Sequence, residues 1–105
     1  MASMPQLGRL QAARRDDSCL FRLSGEFDLS NAWKVSDALL DSIRFEDRDI
    51  VVDLTAVTFM DAQLVRVLIK ARMAAIRRDV AFVVVPPADP TVGRVAELAS
   101  FDIAA

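Results

Sequence analysis

The stretch IVVDLTAVTFMDAQLVRVLIKA, Ile50 to Ala71, decides the fold. It opens on Ile50–Leu54, a short and nearly continuous apolar run rich in β-branched residues, as expected of a strand at the centre of a sheet or covered on both faces. From Leu64 the period changes. Leu64, Leu68, Ala71 and Ala75 form one stripe at helical spacing, flanked by Val65, Val67 and Ile76, while Arg66, Lys70, Arg77 and Arg78 fall elsewhere. Asp61 stands where an N-cap belongs, and Arg77 with Arg78 suits the negative end of the helix. The run AFVVV, residues 81–85, repeats the strand signature. A strand, helix, strand unit of this kind joins parallel strands through a right-handed crossover. Phe59 and Met60 are expected to tuck beneath the loop that leads into Asp61.

Upstream, GEFDLSNAWKVSDALLDSI carries Ala32, Val35, Leu39 and Ile43 at helical spacing, with Lys34, Asp37 and Asp41 on other faces. Asp28 or Ser30 is expected to offer a side-chain oxygen to the first free amides of a helix from about Asn31 to Ile43. The charged run RFEDRD ends it. Earlier still, QLGRLQAAR and CLFRLSG alternate with period two around the polar RDDS, which predicts two antiparallel strands. Downstream, Asp89 followed by Pro90 marks a helix start, and Val92, Val95, Ala96 and Ala99 give that helix a short apolar face weakened by Gly93.

The 105 residues suffice for one domain with one core, and no linker or internal repeat divides them. Residues 1–6, beginning MASM, are expected to add no structure, either as a disordered end or as a remnant of cloning. With 53% hydrophobic and 27% charged residues the chain is expected to fold by itself. A net charge of -2, with no basic stripe to neutralise phosphates, excludes nucleic acid as the expected partner. Apolar runs such as AFVVVPP are too short for a bilayer, and the start lacks a secretion signal, so a cytoplasmic protein without membrane contact is expected.

Enzymatic chemistry finds little support. There is no His, and Cys19 is the single cysteine, read as a small core residue. Gly8, Gly25 and Gly93 begin no phosphate-binding pattern, and a Ser nucleophile would lack a His base. Glu26, Asp28, Asp53 and Asp61 invite a divalent-cation reading, but carboxylates at strand ends without a fixed spacing are more often caps and turn residues. Neither a metal nor a cofactor is expected. Trp33, beside the helical stripe, suits either an exposed interface anchor or a ring folded over the helix edge.

Together, LSGEFDLSNAWKVSDALLDSI, IVVDLTAVTFMDAQLVRVLIKA and VAFVVVPPADPTVGRVAELASFD resemble the STAS domain, the fold of anti-sigma factor antagonists. The hallmark residues are Gly25, Glu26, Asp28, Asp53 and Asp61. The resemblance implies an α/β fold, a mixed and mostly parallel sheet of about four strands with helices packed mainly on one face. In that family a Ser or Thr directly after the Asp at the head of the second helix accepts phosphate from a kinase that is also an anti-sigma factor. The unmodified antagonist binds the kinase and frees a sigma factor, whereas the phosphorylated one lets go.

This chain departs from that pattern. The family's D-S-S-G run reads Asp61, Ala62, Gln63, Leu64, and alanine cannot accept a phosphoryl group. Leu64 also puts bulk where the family keeps the helix start slim. The strand and helix with which members often continue are expected to be missing after the Phe101–Asp102 position, which would uncover a sheet edge and favour a homodimer. The resemblance thus implies a non-catalytic, bacterial anti-anti-sigma factor regulating transcription. Its partner would be an ATP-binding serine kinase acting as anti-sigma factor, contacted through Asp28, Ser30, Asn31, Trp33, Asp61, Ala62 and Gln63. Ser30 and Thr58 are the alternative phosphorylation sites. A scaffold or adaptor subunit of a larger signalling or transport assembly is the rival reading, and an enzyme or small-ligand carrier the weakest.

Overall fold

In the computed structural model, which describes residues 7–98, the chain runs β1 (Arg9–Arg14), β2 (Ser18–Phe27), α1 (Ala32–Phe45), β3 (Asp49–Met60), α2 (Ala62–Arg77), β4 (Phe82–Val85) and α3 (Pro90–Leu98). The strands form one sheet in the order β1-β2-β3-β4, with β1 antiparallel to β2 and the other neighbours parallel. This is the expected mixed α/β sheet. The polar turn between β1 and β2 is closed by the Arg15 amide donating to the Ser18 carbonyl at 2.8 Å.

Alternation along β2 sends Cys19, Phe21, Leu23 and Phe27 into the core. The helical stripes meet them: Ala32, Val35, Leu39 and Ile43 from α1, and Leu64, Val65, Leu68, Ala71 and Ala75 from α2, are all buried. Ile76 falls off the stripe and is exposed. Leu20, Val51 and Val83 alternate onto the other face of the sheet, half-buried, beside the ion pair of Arg22 with Asp53 at 3.4 Å. The two long helices also join at their ends, where the Arg78 guanidinium donates to the Arg44 carbonyl at 3.0 Å, satisfying an acceptor in the last turn of α1.

β3 is longer than the Ile50–Leu54 run, and its period explains why. Against β2 it carries two extra residues, between Arg22 and Ser24 and again between Gly25 and Glu26. Each bulge leaves two adjacent residues exposed, Thr55 with Ala56 and Thr58 with Phe59, so burial passes from Leu54 to Val57 to Met60 in steps of three. Met60 is buried as expected, but Phe59 is 46% exposed and does not tuck under. Opposite the second bulge, Gly25 has φ 87°, a left-handed conformation that only glycine adopts cheaply.

The α1 start also differs from expectation. Asn31 is the N-cap residue and makes no side-chain bond to the helix amides, and neither Asp28 nor Ser30 caps them by side chain. The α2 start agrees, with Asp61 as N-cap. In α3, Val92 is buried. The expectations for residues 1–6, for the side chains of Val95 and Ala96, for Ala99 and for the chain beyond it lie outside the described residues.

Candidate functional site

β2 and β3 are parallel neighbours that end side by side, with Phe27 opposite Met60. The residues that follow them, Asp28 and Asp61, open two loops at the carboxyl ends of the strands, the end at which open α/β sheets present their binding groups. One backbone bond ties the loops together, the Asp61 amide donating to the Phe27 carbonyl at 3.3 Å.

The first loop is an Asx turn. One carboxylate oxygen of Asp28 accepts from the Ser30 amide at 2.8 Å and from its hydroxyl at 2.6 Å. The Asp28 carbonyl accepts from the Ala32 amide at 2.9 Å, which starts the helix. Asn31 reaches backward: its side-chain carbonyl accepts from the Asp28 amide and its side-chain amide donates to the Glu26 carbonyl, both at 2.9 Å. That engagement with β2 is why Asn31 does not cap α1. Gly8 makes the arrangement fit, since a Cβ there would lie 2.6 Å from the Glu26 carbonyl oxygen and 2.7 Å from the Asn31 side-chain nitrogen.

The second loop is shorter. Asp61 accepts from the Gln63 amide at 2.9 Å, and the helix begins at once. Ala62 is exposed, Gln63 half-buried and Leu64 inaccessible. The bulk of Leu64 therefore goes into the core and adds nothing to the surface around Ala62.

The same end of the molecule exposes large apolar side chains: Leu29 at 72%, Trp33 at 57% and Phe59 at 46%. Trp33 is exposed and does not cap the core. Its indole N–H donates to the Ser30 carbonyl at 3.1 Å, which fixes the ring to the turn, and the Lys34 ammonium lies 5.8 Å from the ring centroid. Thr58 lies on the α3 side of β3, lining a cleft with Asp89, Thr91 and Val92. Ser30 lies on the α1 side. Leu29, Phe59 and Gly8 were not singled out as site residues by sequence reasoning. The break from steps of two to steps of three after Leu54 is the signal that would have found Phe59.

Charge at the site is set by hydrogen bonding. The Ser30 hydroxyl, then the Ser30 amide, hold the Asp28 carboxyl below its usual range. Asp53 is lowered as well: partial burial pushes its pKa up, but the Thr55 amide and hydroxyl and the Arg22 guanidinium outweigh it. Asp53 sits with Arg22, apart from the two loops. Among the described residues no three His, Cys, Asp or Glu side chains gather as a metal ion would require. Cys19 is buried, its thiol directed at Glu46 at 3.9 Å. Among the described residues no helix is long and apolar enough to cross a membrane.

Residues 9–103 match the family model of the STAS domain. The chain belongs to the STAS domain family. Among solved structures, this STAS chain is similar to an anti-sigma factor antagonist from Mycobacterium paratuberculosis, at 22% identity and a TM-score of 0.83, covering 96% of this chain and 85% of the other. The anti-sigma factor antagonist SpoIIAA in its unphosphorylated form aligns at 18% identity and a TM-score of 0.79, covering 89% and 82%. The phosphorylated form of the Bacillus cell fate determinant SpoIIAA aligns at 17% identity and a TM-score of 0.73, covering 89% and 85%. At these identities the likeness is one of fold. No curated protein matches the chain.

Proposed function

We propose that this STAS domain is a non-catalytic, cytoplasmic regulator of bacterial transcription that binds a kinase-type anti-sigma factor through the Asp28–Trp33 turn and the Asp61–Gln63 loop. The observation that carries the reading is the juxtaposition of these loops. Two turns tied by the bond from Asp61 to Phe27 surround an exposed Ala62 and present Leu29 and Trp33 to solvent. Exposed Trp is a preferred anchor of protein interfaces. The fold shared with solved anti-sigma factor antagonists supports the same reading.

In the expected switch, a phosphate of about -1.5 to -2 charge appears beside Asp61 in the middle of the binding surface and expels the partner by repulsion and desolvation. With Ala62 there, no hydroxyl receives the phosphate. Binding is then insensitive to ATP, and control falls to expression, competition or another site, of which Ser30 and Thr58 are the nearby hydroxyls.

Calorimetry against candidate anti-sigma kinases, with and without prior Mg-ATP, tests this on the natural protein and on Ala62→Ser. Tight binding that survives ATP in the natural protein and falls in Ala62→Ser is expected. A phosphate on Ser30 or Thr58 that abolishes binding would sink the insensitivity. No binding in either state, together with a high-order particle by light scattering, would move the assignment to a scaffold subunit.

A further inference from the structure

The charge on α2 is one-sided. The helix Ala62–Arg77 contains Arg66, Lys70, Arg72 and Arg77 and no Asp or Glu, and Arg78 follows it, in a chain whose net charge is -2. α1, by contrast, mixes Lys34 and Arg44 with Asp37 and Asp41. Arg66, Lys70, Met73 and Arg77 recur at steps of four, three and four, which places them on one line along the helix. All four are exposed, and Ile76 beside them is 66% exposed. Among the described residues, Arg66, Lys70 and Arg77 form no ion pair. At about 1.5 Å per residue the line from Arg66 to Arg77 is about 16 Å long. Asp61 at the start of the helix and Asp79 just after it limit the cationic surface to this stretch.

We infer that the outward face of α2 is a docking surface for an acidic amphipathic helix of a partner protein, one with Asp or Glu at every fourth position and aliphatic side chains beside them. Charge complementarity selects the occupant. Three unpaired cations in a row attract carboxylates at the same helical spacing, while Met73 and Ile76 supply the apolar contact, and Arg and Met are both enriched at protein interfaces. A lipid surface is a poorer match. An interfacial membrane helix inserts a broad apolar face, and that face of α2, Leu64, Leu68, Ala71 and Ala75, is already committed to the core. Nucleic acid needs a wider basic footprint than a line bounded by two aspartates on an acidic chain. The surface is independent of the two loops assigned above, since none of Arg66, Lys70, Met73 and Ile76 belongs to them.

A charge-swap experiment tests the inference. The labelled full chain is titrated by NMR with a synthetic helical peptide carrying Glu at every fourth position with Leu between, and with the same peptide carrying Lys instead. The triple variant Arg66→Glu, Lys70→Glu, Arg77→Glu, whose substitutions are all exposed and which circular dichroism must show folded, is treated identically. The natural chain is expected to show saturable shifts along Arg66–Arg77 with the Glu peptide only, and the triple variant with the Lys peptide only. Raising salt from about 0.1 M, where the screening length is about 10 Å, to about 1 M, where it is about 3 Å, should weaken binding about tenfold or more. Failure of the Glu peptide to give saturable shifts, shifts centred on Asp28–Trp33 instead, or tighter binding to anionic phosphatidylglycerol vesicles or to duplex DNA than to the peptide would each overturn it. If the triple variant does not fold, Lys70→Glu alone supplies the same comparison, with weaker binding of the Glu peptide expected and unchanged binding counting against the inference.

Discussion

The two helices that flank the candidate site follow neighbouring parallel strands, yet they are held by opposite means. α2 is capped from its own side: Asp61 accepts from Gln63, and Leu64 plunges directly into the core. α1 is held from behind. Asn31 turns its side chain back onto Asp28 and Glu26, and the closeness of Gly8 to that bond makes the start of the helix depend on chain that precedes β1. The contrast teaches that a loop surface can be kept stiff either by local capping or by tertiary tethering. The two are distinguishable because they fail under different substitutions.

The α2 start should be most sensitive at Leu64. If the α2 start is anchored by burial, Leu64→Ala should cost about 2–5 kcal/mol, as truncations of fully buried Leu do, read as a fall in the denaturant midpoint at constant slope. A cost well under 1 kcal/mol would mean that the cap and not the core holds this turn.

The next effect belongs to the tether. Gly8→Ala places a methyl group 2.6 Å from the Glu26 carbonyl oxygen, 2.7 Å from the Asn31 side chain and 2.8 Å from the Phe27 ring. Relieving that overlap should cost about 1–3 kcal/mol. Amide exchange should quicken around Glu26–Ala32 and stay unchanged through α2. Equal loss of protection at both helix starts would show that they are one unit and not two.

Direct removal of each polar hold comes third. Asp61→Ala loses an N-cap, about 1 kcal/mol. Asn31→Ala loses two hydrogen bonds whose net worth is also about 1 kcal/mol each at most, because the exposed Asp28 amide regains water. The losses should have different addresses: amides of Gln63–Arg66 for Asp61→Ala, and amides of Asp28–Ala32 for Asn31→Ala, resolved by hydrogen exchange.

The asymmetry also marks what could be read from the sequence. The stripes Ala32-Val35-Leu39-Ile43 and Leu64-Leu68-Ala71-Ala75 were legible because helical burial follows a local period, and Asp61 was legible because a cap acts on a residue two positions away. The double bulge of β3 was not. Register is a property of two strands, and within β3 it leaves only the change of step from Leu54 to Val57 to Met60, which a reading of Phe59 as tucked under the loop passed over. The role of Asn31 was equally hidden, since Glu26 and Gly8 reach it through the sheet and not along the helix. The exposure of Trp33 was hidden as well, since the partner of its indole is the Ser30 carbonyl of the turn and not a group in the core.

The smallest effect is the titration of Asp28, and it tests whether the turn is held in the way described. The Ser30 hydroxyl and amide favour the charged carboxylate, so the folded pKa lies below that of the unfolded chain. A group depressed in this way stabilises the fold above the unfolded value, about 3.9 for Asp, and the contribution fades as pH falls through the lowered folded value. Ser30→Ala removes the larger of the two causes and leaves the amide. The Asp28 carboxyl shift, followed by carbon NMR, should then titrate closer to the ordinary value, though still below it. Because the carboxylate is open to solvent, global stability should barely change with pH on this account, while the amide shifts of Ser30 and Asn31 track the titration. An Asp28 that titrates identically with and without the hydroxyl would mean that the 2.6 Å contact does not hold the turn in solution. The rigidity of the α1 start would then rest on Asn31 and Gly8 alone.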